Sequence, residues 1–193
     1  MNKSDFTLVI DTSEGTSIGL FEGETLIKSN HSDTKNSQVE TLANSVKSVI
    51  EGITNLNKII VSPGPARFTG LRAGISFAEA LAMGVHSETY AVPYLKAASN
   101  VLSSANGIQT ITTLFARKNL QYYYNPLNDE FEIASPEDIE NLGKKFEAKI
   151  ADAELTRSTE LADEVLKEMY RLSLDLSPVT QIEPNYLRPP DVY

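Results

Sequence analysis

Three consecutive residues with oxygen-bearing side chains, Asp11, Thr12 and Ser13, follow the first short apolar run of the chain. A carboxylate can hold metal-bound water, and turn N–H groups together with hydroxyls can hold phosphate oxygens. The triplet could therefore belong to the phosphate and Mg²⁺ site of a small-molecule phosphotransferase or ATPase that uses Asp11. The same residue types are also typical of a turn after a strand, in which their side chains bond the backbone.

The other parts of a nucleotide site are missing from the sequence. Backbone that closely approaches a nucleotide is usually rich in glycine, but the chain has no Gly-Gly pair, and only Gly107 and Gly143 follow Gly84. Neither G-x-x-x-x-G-K-[ST] nor G-x-G-x-x-G occurs. We therefore favour a vestigial or structural role for the triplet, expect no bound cofactor, and keep the phosphotransferase or ATPase as the alternative.

A loop rich in Pro and Gly, residues 62–70, precedes an apolar segment with helical spacing. Its N–H groups at a helix N-terminus could hold an anion, helped by Arg67. A rigid Pro-Gly-Pro turn that sets the direction of the following helix is the favoured interpretation.

Metal and nucleophile chemistry has little support in the sequence. His31 and His86 are the only histidines, they are far apart, and there is no cysteine. A His-x-x-x-His metal pair is therefore excluded, and we expect no metal site. Ser-His-Asp chemistry remains open by composition, although no G-x-S-x-G motif supports it.

The charge of the chain is acidic, with a formal value of −9. An acidic protein repels the phosphates that supply most non-specific affinity for nucleic acid, so we do not expect it to bind RNA alone. The lack of cysteine fits a reducing compartment, and the apolar stretch 71–85 is shorter than the ~20 residues that span a bilayer. A cytoplasmic protein without a signal peptide or membrane partner is expected.

Apolar periodicity and turn signals divide the chain into an α/β pattern. In the first half we predict the order βββαβαβα: strands at 7–10, 18–20 and 25–28, a helix at 37–52, a strand at 58–61, a helix at 68–83, a strand at 90–92 and a helix at 93–104. In the second half we predict a hairpin over 109–124, a helix from Ser135, a strand at 148–151, a last helix near 161–172 and an extended tail. We expect two units, 1–105 and a smaller 106–193.

Three segments resemble one known family. They are Ile10-Asp11-Thr12-Ser13, the run from Gly64 to Gly74 (similar to GPGSFTGLRxG), and Pro184-Asn185-Tyr186-Leu187-Arg188 (similar to PxYLR). The chain is identified as a member of the TsaB (YeaZ) family. The resemblance implies the actin-like/Hsp70-like ATPase superfamily fold, built from two tandem ribonuclease-H-like lobes of which the second is reduced.

The chain departs from the family pattern at three places. Ala66 and Arg67 replace a glycine and a serine of the loop, Asn36 stands where a histidine often precedes the first helix, and Phe115-Ala116-Arg117 replaces Asp-Ala-Arg at a strand end.

The resemblance implies a non-catalytic subunit of the machinery that makes N6-threonylcarbamoyladenosine (t6A) in tRNA. Its partner would be TsaD, the paralogue that transfers the threonylcarbamoyl group, and the ATPase TsaE would join through the complex. A homodimer is expected when TsaD is absent, and tRNA contact is expected only through the complex.

The helix at 68–83 has apolar residues on nearly every face, which in so small a protein predicts an interface. Gly70, Gly74 and Ala78 recur every four residues and could admit another helix. A fully internal helix is the alternative. We predict that the first two helices pair with the partner, and that a charge at Gly74 or Ala78 prevents pairing without unfolding the chain. The predicted interface residues are Val39, Leu42, Val46, Gly70, Leu71, Gly74, Ile75, Ala78 and Leu81.

Overall fold

The computed structural model describes residues 5–32 and 38–187. Its first sheet has five strands: β1 (Phe6–Asp11), β2 (Thr16–Glu22), β3 (Thr25–Ser32), β4 (Leu56–Val61) and β5 (Glu88–Ala91). They lie in the order β3-β2-β1-β4-β5, with β1, β4 and β5 parallel and β2 and β3 antiparallel to their neighbours. Because β1 and β4 are parallel neighbours, their carboxyl ends meet at one edge of the sheet.

Helices α1 (Gln38–Ile50) and α2 (Phe68–Val85) connect strands of this sheet and pack on it, and α3 (Tyr94–Asn106) leads from β5 to the second sheet. The βββαβαβα order predicted from the sequence is confirmed. Helix α2 continues through Gly84, where we expected its end, and is closed by His86 in the left-handed conformation, with φ of 57°.

The second sheet contains β6 (Thr110–Arg117), β7 (Leu120–Asn125), β8 (Glu130–Ala134) and β9 (Lys149–Asp152), in the order β8-β7-β6-β9. Helix α4 (Pro136–Phe146) starts as predicted: Ser135 Oγ accepts a hydrogen bond from the Asp138 N–H, and Pro136 takes the first helical position. Strand β8 was not predicted, although its alternating pattern E-F-E-I-A is that of a half-buried strand.

The chain then returns to the first sheet. A 3-10 helix (Ala153–Arg157) leads into α5 (Thr159–Leu172), which packs against α3 and against β2 and β3. One large core joins the two units, because it includes Leu8 and Ile60 of the first sheet, Leu114 and Tyr122 of the second, and Met169 of α5. Within the described residues no helix is long and apolar enough to span a membrane.

Candidate functional site

The carboxyl end of β1 is closed by the chain's own side chains. Asp11 is 3% exposed, and Thr12 and Ser13 are each 1% exposed. Asp11 Oδ1 accepts hydrogen bonds from the Ser13 N–H at 3.2 Å and from Ser13 Oγ at 2.7 Å. The triplet therefore forms a turn whose side chains bond its own backbone, which is the structural interpretation left open by the sequence.

Ser62 joins this turn to two other elements. It follows β4 directly, and its Oγ lies 3.2 Å from Ser13 Oγ. The same oxygen accepts hydrogen bonds from the N–H groups of Gly64, at 3.3 Å, and Tyr94, at 3.2 Å. A serine at the end of the strand next to β1 could have been predicted to belong here, because the ends of parallel neighbours converge.

Charged groups from both units surround Asp11. Burial raises its pKa to about 6, the two Ser13 hydrogen bonds oppose the rise, the Glu14 carboxylate adds to it, and the Arg157 guanidinium opposes it. Tyr94 Oη donates to the Ala153 carbonyl oxygen at 3.0 Å and lies 2.7 Å from Thr156 Oγ1. Sequence reasoning gave no signal for Arg157 or Tyr94, because neither is near Asp11 in the chain.

The space beside Asp11 is an enclosed cavity of about 10 Å³, lined by Asp11, Glu14, Ser17, Tyr94, Thr156, Arg157, Ala162, Val165 and Leu166. A cavity of that size has room for about one water molecule. A nucleotide does not fit there in this conformation. The cluster can hold the two units together through buried polar contacts, and among the described residues no group of three potential ligands is placed to hold a metal ion.

The first part of the loop at 62–70 is packed inside the molecule, whereas Arg67 and Phe68 are half-buried and Thr69 is exposed. Residues 63–66 are buried, and the Pro63 carbonyl oxygen accepts a hydrogen bond from the Asn185 N–H at 2.8 Å. Gly64 has φ of 97°, a conformation that side chains rarely adopt. The Arg67 guanidinium lies over the Phe115 ring, 5.4 Å from its centre. These contacts favour the interpretation of the loop as a rigid turn that sets the direction of α2, and not as an anion site.

His31 lies between two oxygen-bearing side chains. Its Nε2 is 2.8 Å from Asp163 Oδ1 and its Nδ1 is 3.1 Å from Ser17 Oγ. These are the residue types of a serine hydrolase triad, but Ser17 and His31 are facing residues of β2 and β3, and Asp163 is on α5, which packs over both strands. The arrangement ties α5 to the sheet. His86 is exposed and serves as the cap of α2.

The predicted interface list requires a correction. Seven of the nine residues are buried within the chain itself: Leu42, Val46, Gly70, Leu71, Gly74, Ile75 and Ala78. The expectation that the small residues of α2 face a partner is wrong, because they let α2 approach β1: Thr12 Oγ1 donates to the Gly70 carbonyl oxygen at 2.8 Å, and a Cβ at Gly74 would overlap Thr12. Leu81 is half-buried, and the side chain of Val39 lies outside the described residues.

A further segment of the chain shelters part of α2. Val179 pairs with Thr89 at the edge of β5, the Ile182 N–H donates to Glu79 Oε1 at 2.8 Å, and Tyr186 stacks on Phe68 with ring centres 4.5 Å apart. The tail, which we predicted to be extended, packs back on the fold as far as Leu187, while Arg188 lies outside the described residues. The tail therefore covers a flank of α2 that we expected to need a partner.

One face of α2 is nevertheless directed away from the rest of the protein. It contains Ala73, Ser76, Phe77, Ala80, Leu81, Met83 and Gly84, all exposed or half-buried and none charged. Met83 is 79% exposed. The apolar surplus predicted for this helix is therefore present on this face, and not on the row formed by Gly70, Gly74 and Ala78.

Comparison with known proteins agrees with this architecture. The model of the family described as "TsaD: tRNA N6-adenosine threonylcarbamoyltransferase" matches residues 25–186, and the chain belongs to that family. Two solved structures from Pseudomonas aeruginosa are similar over 95% of this chain and 100% of theirs. One, an uncharacterized protein with similarity to peptidase YEAZ, has 18% identity and a TM-score of 0.72. The other, YeaZ, has 19% identity and a TM-score of 0.69.

The predicted TsaB (YeaZ) resemblance and the actin-like fold are thus confirmed. No curated protein matches the chain. The division into units 1–105 and 106–193 stays a prediction, although α5 and the tail, which fall in the second range, pack on elements of the first.

Proposed function

We propose that this chain is a non-catalytic scaffold subunit of the complex that transfers the threonylcarbamoyl group to adenosine in tRNA, and that it binds TsaD through the outward faces of α1 and α2. TsaE joins through the complex, and the same face forms a homodimer when TsaD is absent. The observation that carries the proposal is the uncharged outward face of α2, in a chain with 22% charged residues. Such a face is a common feature of protein interfaces.

Ala80→Glu tests this surface. Ala80 is exposed in the middle of the outward face, so the variant is expected to fold normally, while a charge buried without a partner should cost several kcal/mol of binding. Ala105→Glu is the matched control, because Ala105 is also an exposed helical alanine but lies on α3. Gel filtration with TsaD should show co-elution for the wild type and the control and not for Ala80→Glu. Co-elution of all three would contradict the assigned surface.

The catalytic requirement is tested by reconstitution. t6A formation by TsaD and TsaE should require this chain, and Asp11→Ala, if the variant remains folded, should support it as well as the wild type does. A chain that is dispensable, or one that needs the Asp11 carboxylate for turnover, would refute the scaffold role.

The alternative function is the small-molecule phosphotransferase or ATPase that uses Asp11. The closed cavity beside Asp11 argues against it. Melting the pure chain with Mg-ATP separates the two functions, because binding at a hundredfold excess over Kd would raise the stability by ~2.7 kcal/mol. We expect no change, whereas a rise accompanied by turnover would support the alternative.

A further inference from the structure

Three arginines and three aromatic residues alternate on one part of the surface. Arg72 Nε donates to Tyr186 Oη at 3.0 Å, and its guanidinium lies 4.2 Å from the centre of the Phe68 ring. Phe68 and Tyr186 are stacked with an angle of 16° between their planes. The start of α2 and the tail therefore build one Arg-aromatic group from residues more than a hundred positions apart.

The second sheet extends this group. The Arg67 guanidinium lies over the Phe115 ring, and Arg117, two residues further along β6, is exposed as Phe115 is, whereas Ala116 between them is buried. Two departures from the family pattern, at the loop and at the strand end, thus meet in space. We call Arg67, Phe68, Arg72, Phe115, Arg117 and Tyr186 the Arg-aromatic strip.

The arginines of the strip have no ion-pair partner among residues 5–32 and 38–187. Several lysines of the described chain, such as Lys96 and Lys167, pair with carboxylates, whereas no described carboxylate is within ion-pair distance of Arg67, Arg72 or Arg117. A guanidinium stacked on a ring by its face still presents N–H groups at its edge, which suit phosphate oxygens. An unpaired cationic group on a chain of charge −9 indicates a local anionic ligand.

The exposed aromatic rings of the strip indicate which kind of anionic ligand it would bind. Phe115 is 44% exposed and Tyr186 is 40% exposed, so both keep part of a ring open to solvent beside an arginine. Unpaired bases stack on such rings while arginines contact the backbone, which is how proteins bind single-stranded RNA.

We propose that the Arg-aromatic strip binds a single-stranded segment of RNA, with the arginines on its phosphates and Phe115 stacking on an unpaired base. The proposal rests on the proposed function, because an acidic chain needs the rest of the complex for strong RNA binding. It adds a direct contact by this chain to the expectation that tRNA is met only within the complex.

The test uses a fluorescein-labelled RNA hairpin with a single-stranded loop, and the same stem closed as a duplex. The fluorescence anisotropy of each RNA is measured as the full-length chain is added, alone and with TsaD, at salt concentrations between about 50 and 200 mM. The variants are Arg117→Ala and Phe115→Ala. Lys145→Ala and Phe146→Ala are matched controls, because Lys145 lies over the exposed Phe146 ring at 5.0 Å, on α4.

The two strip variants should affect RNA binding in different ways. Arg117→Ala should reduce the slope of log affinity against log salt by about 0.7, since one phosphate contact is lost. Phe115→Ala should weaken binding of the looped RNA by about fivefold or more and leave that slope unchanged. The controls should behave as the wild type, and the duplex should bind weakly to all.

Unchanged affinity in both strip variants, with and without TsaD, would overturn the proposal. Equal binding of duplex and hairpin would also overturn it, because stacking needs unpaired bases. Loss of TsaD co-elution in the strip variants, without strip-dependent RNA binding, would assign the strip to a protein partner. If TsaD does not bind but RNA affinity still depends on Phe115 and Arg117, the proposed function is refuted, whereas the proposed binding of RNA by the Arg-aromatic strip stands.

Discussion

Thr12 Oγ1 donates a hydrogen bond of 2.8 Å to the carbonyl oxygen of Gly70, across the junction between the end of β1 and the first turn of α2. A hydroxyl that makes this hydrogen bond does not also donate its proton to a ligand. Here it is directed into the protein, and the glycines of α2 bring the helix close enough to meet it. The junction that could bind phosphate is thus used for packing.

Gly74→Ala tests this packing. A Cβ at residue 74 would overlap Thr12 Oγ1, so we expect the free energy of unfolding to fall by about 1–3 kcal/mol, the usual cost of overpacking a core. Gly84→Ala, in the same helix, is the control. A Cβ there has no other atom within 4 Å, so helix propensity should stabilise the chain by up to about 1 kcal/mol.

Denaturant titration of both variants measures the difference. Equal stabilisation by the two alanines would show that α2 does not lie this close to Thr12. The same geometry predicts that a charge at Gly74 or Ala78 unfolds the chain, in contrast to our expectation from the sequence of a folded monomer, because Ala78 is fully buried.

The buried Asp11 carboxyl group predicts how the stability of the folded chain depends on pH. Its pKa is raised from 3.8 to about 6 by burial, so between these values the unfolded chain releases the Asp11 proton while the folded chain keeps it. The unfolded state then binds fewer protons, and stability falls as pH rises through this window. The loss amounts to about 3 kcal/mol at neutral pH, at 1.36 kcal/mol per pKa unit.

Asp11→Asn removes the charge and keeps an oxygen that can accept from Ser13. We expect it to be more stable than the wild type above pH 6 and to lack this fall between about pH 4 and 6. The informative quantity is the difference between the two stability curves, since the other carboxylates titrate in both. Asp175→Asn, at an exposed position, is the control and should follow the wild type. If Asp11→Asn were less stable than the wild type at pH 7, the ionised Asp11 carboxylate would stabilise the folded chain, which would contradict the prediction.

The sequence predicted the helices and most of the strands because their apolar periods are local properties of the chain. It placed Asp11, Thr12 and Ser13 at a strand end, yet it could not show that Arg157 and Tyr94 reach the same point, since those contacts depend on how the two units pack. The signal for β8 was present in its alternation but was overlooked in a segment rich in acids.

The largest error in the site concerned which side of α2 faces outward. Small residues every four positions are compatible both with a partner helix and with a close sheet, and spacing alone does not distinguish them. The cover supplied by the tail was also underestimated. Ile182 and Tyr186 are more than a hundred positions from the residues of α2 that they contact, and nothing in their local pattern indicates that contact.

Ile182 shows how much of α2 the chain covers by itself. Its side chain is 2% exposed and its N–H donates to Glu79 Oε1, so Ile182→Ala should cost about 2–5 kcal/mol through the cavity that it creates. Leu176→Ala is the control, because Leu176 is 45% exposed in the same C-terminal segment and should change stability by less than about 0.5 kcal/mol. Urea unfolding measures both values. A cost at Ile182 as small as that at Leu176 would mean that the tail does not dock on α2 in solution, and the outward face of α2 would then be wider than the one described above.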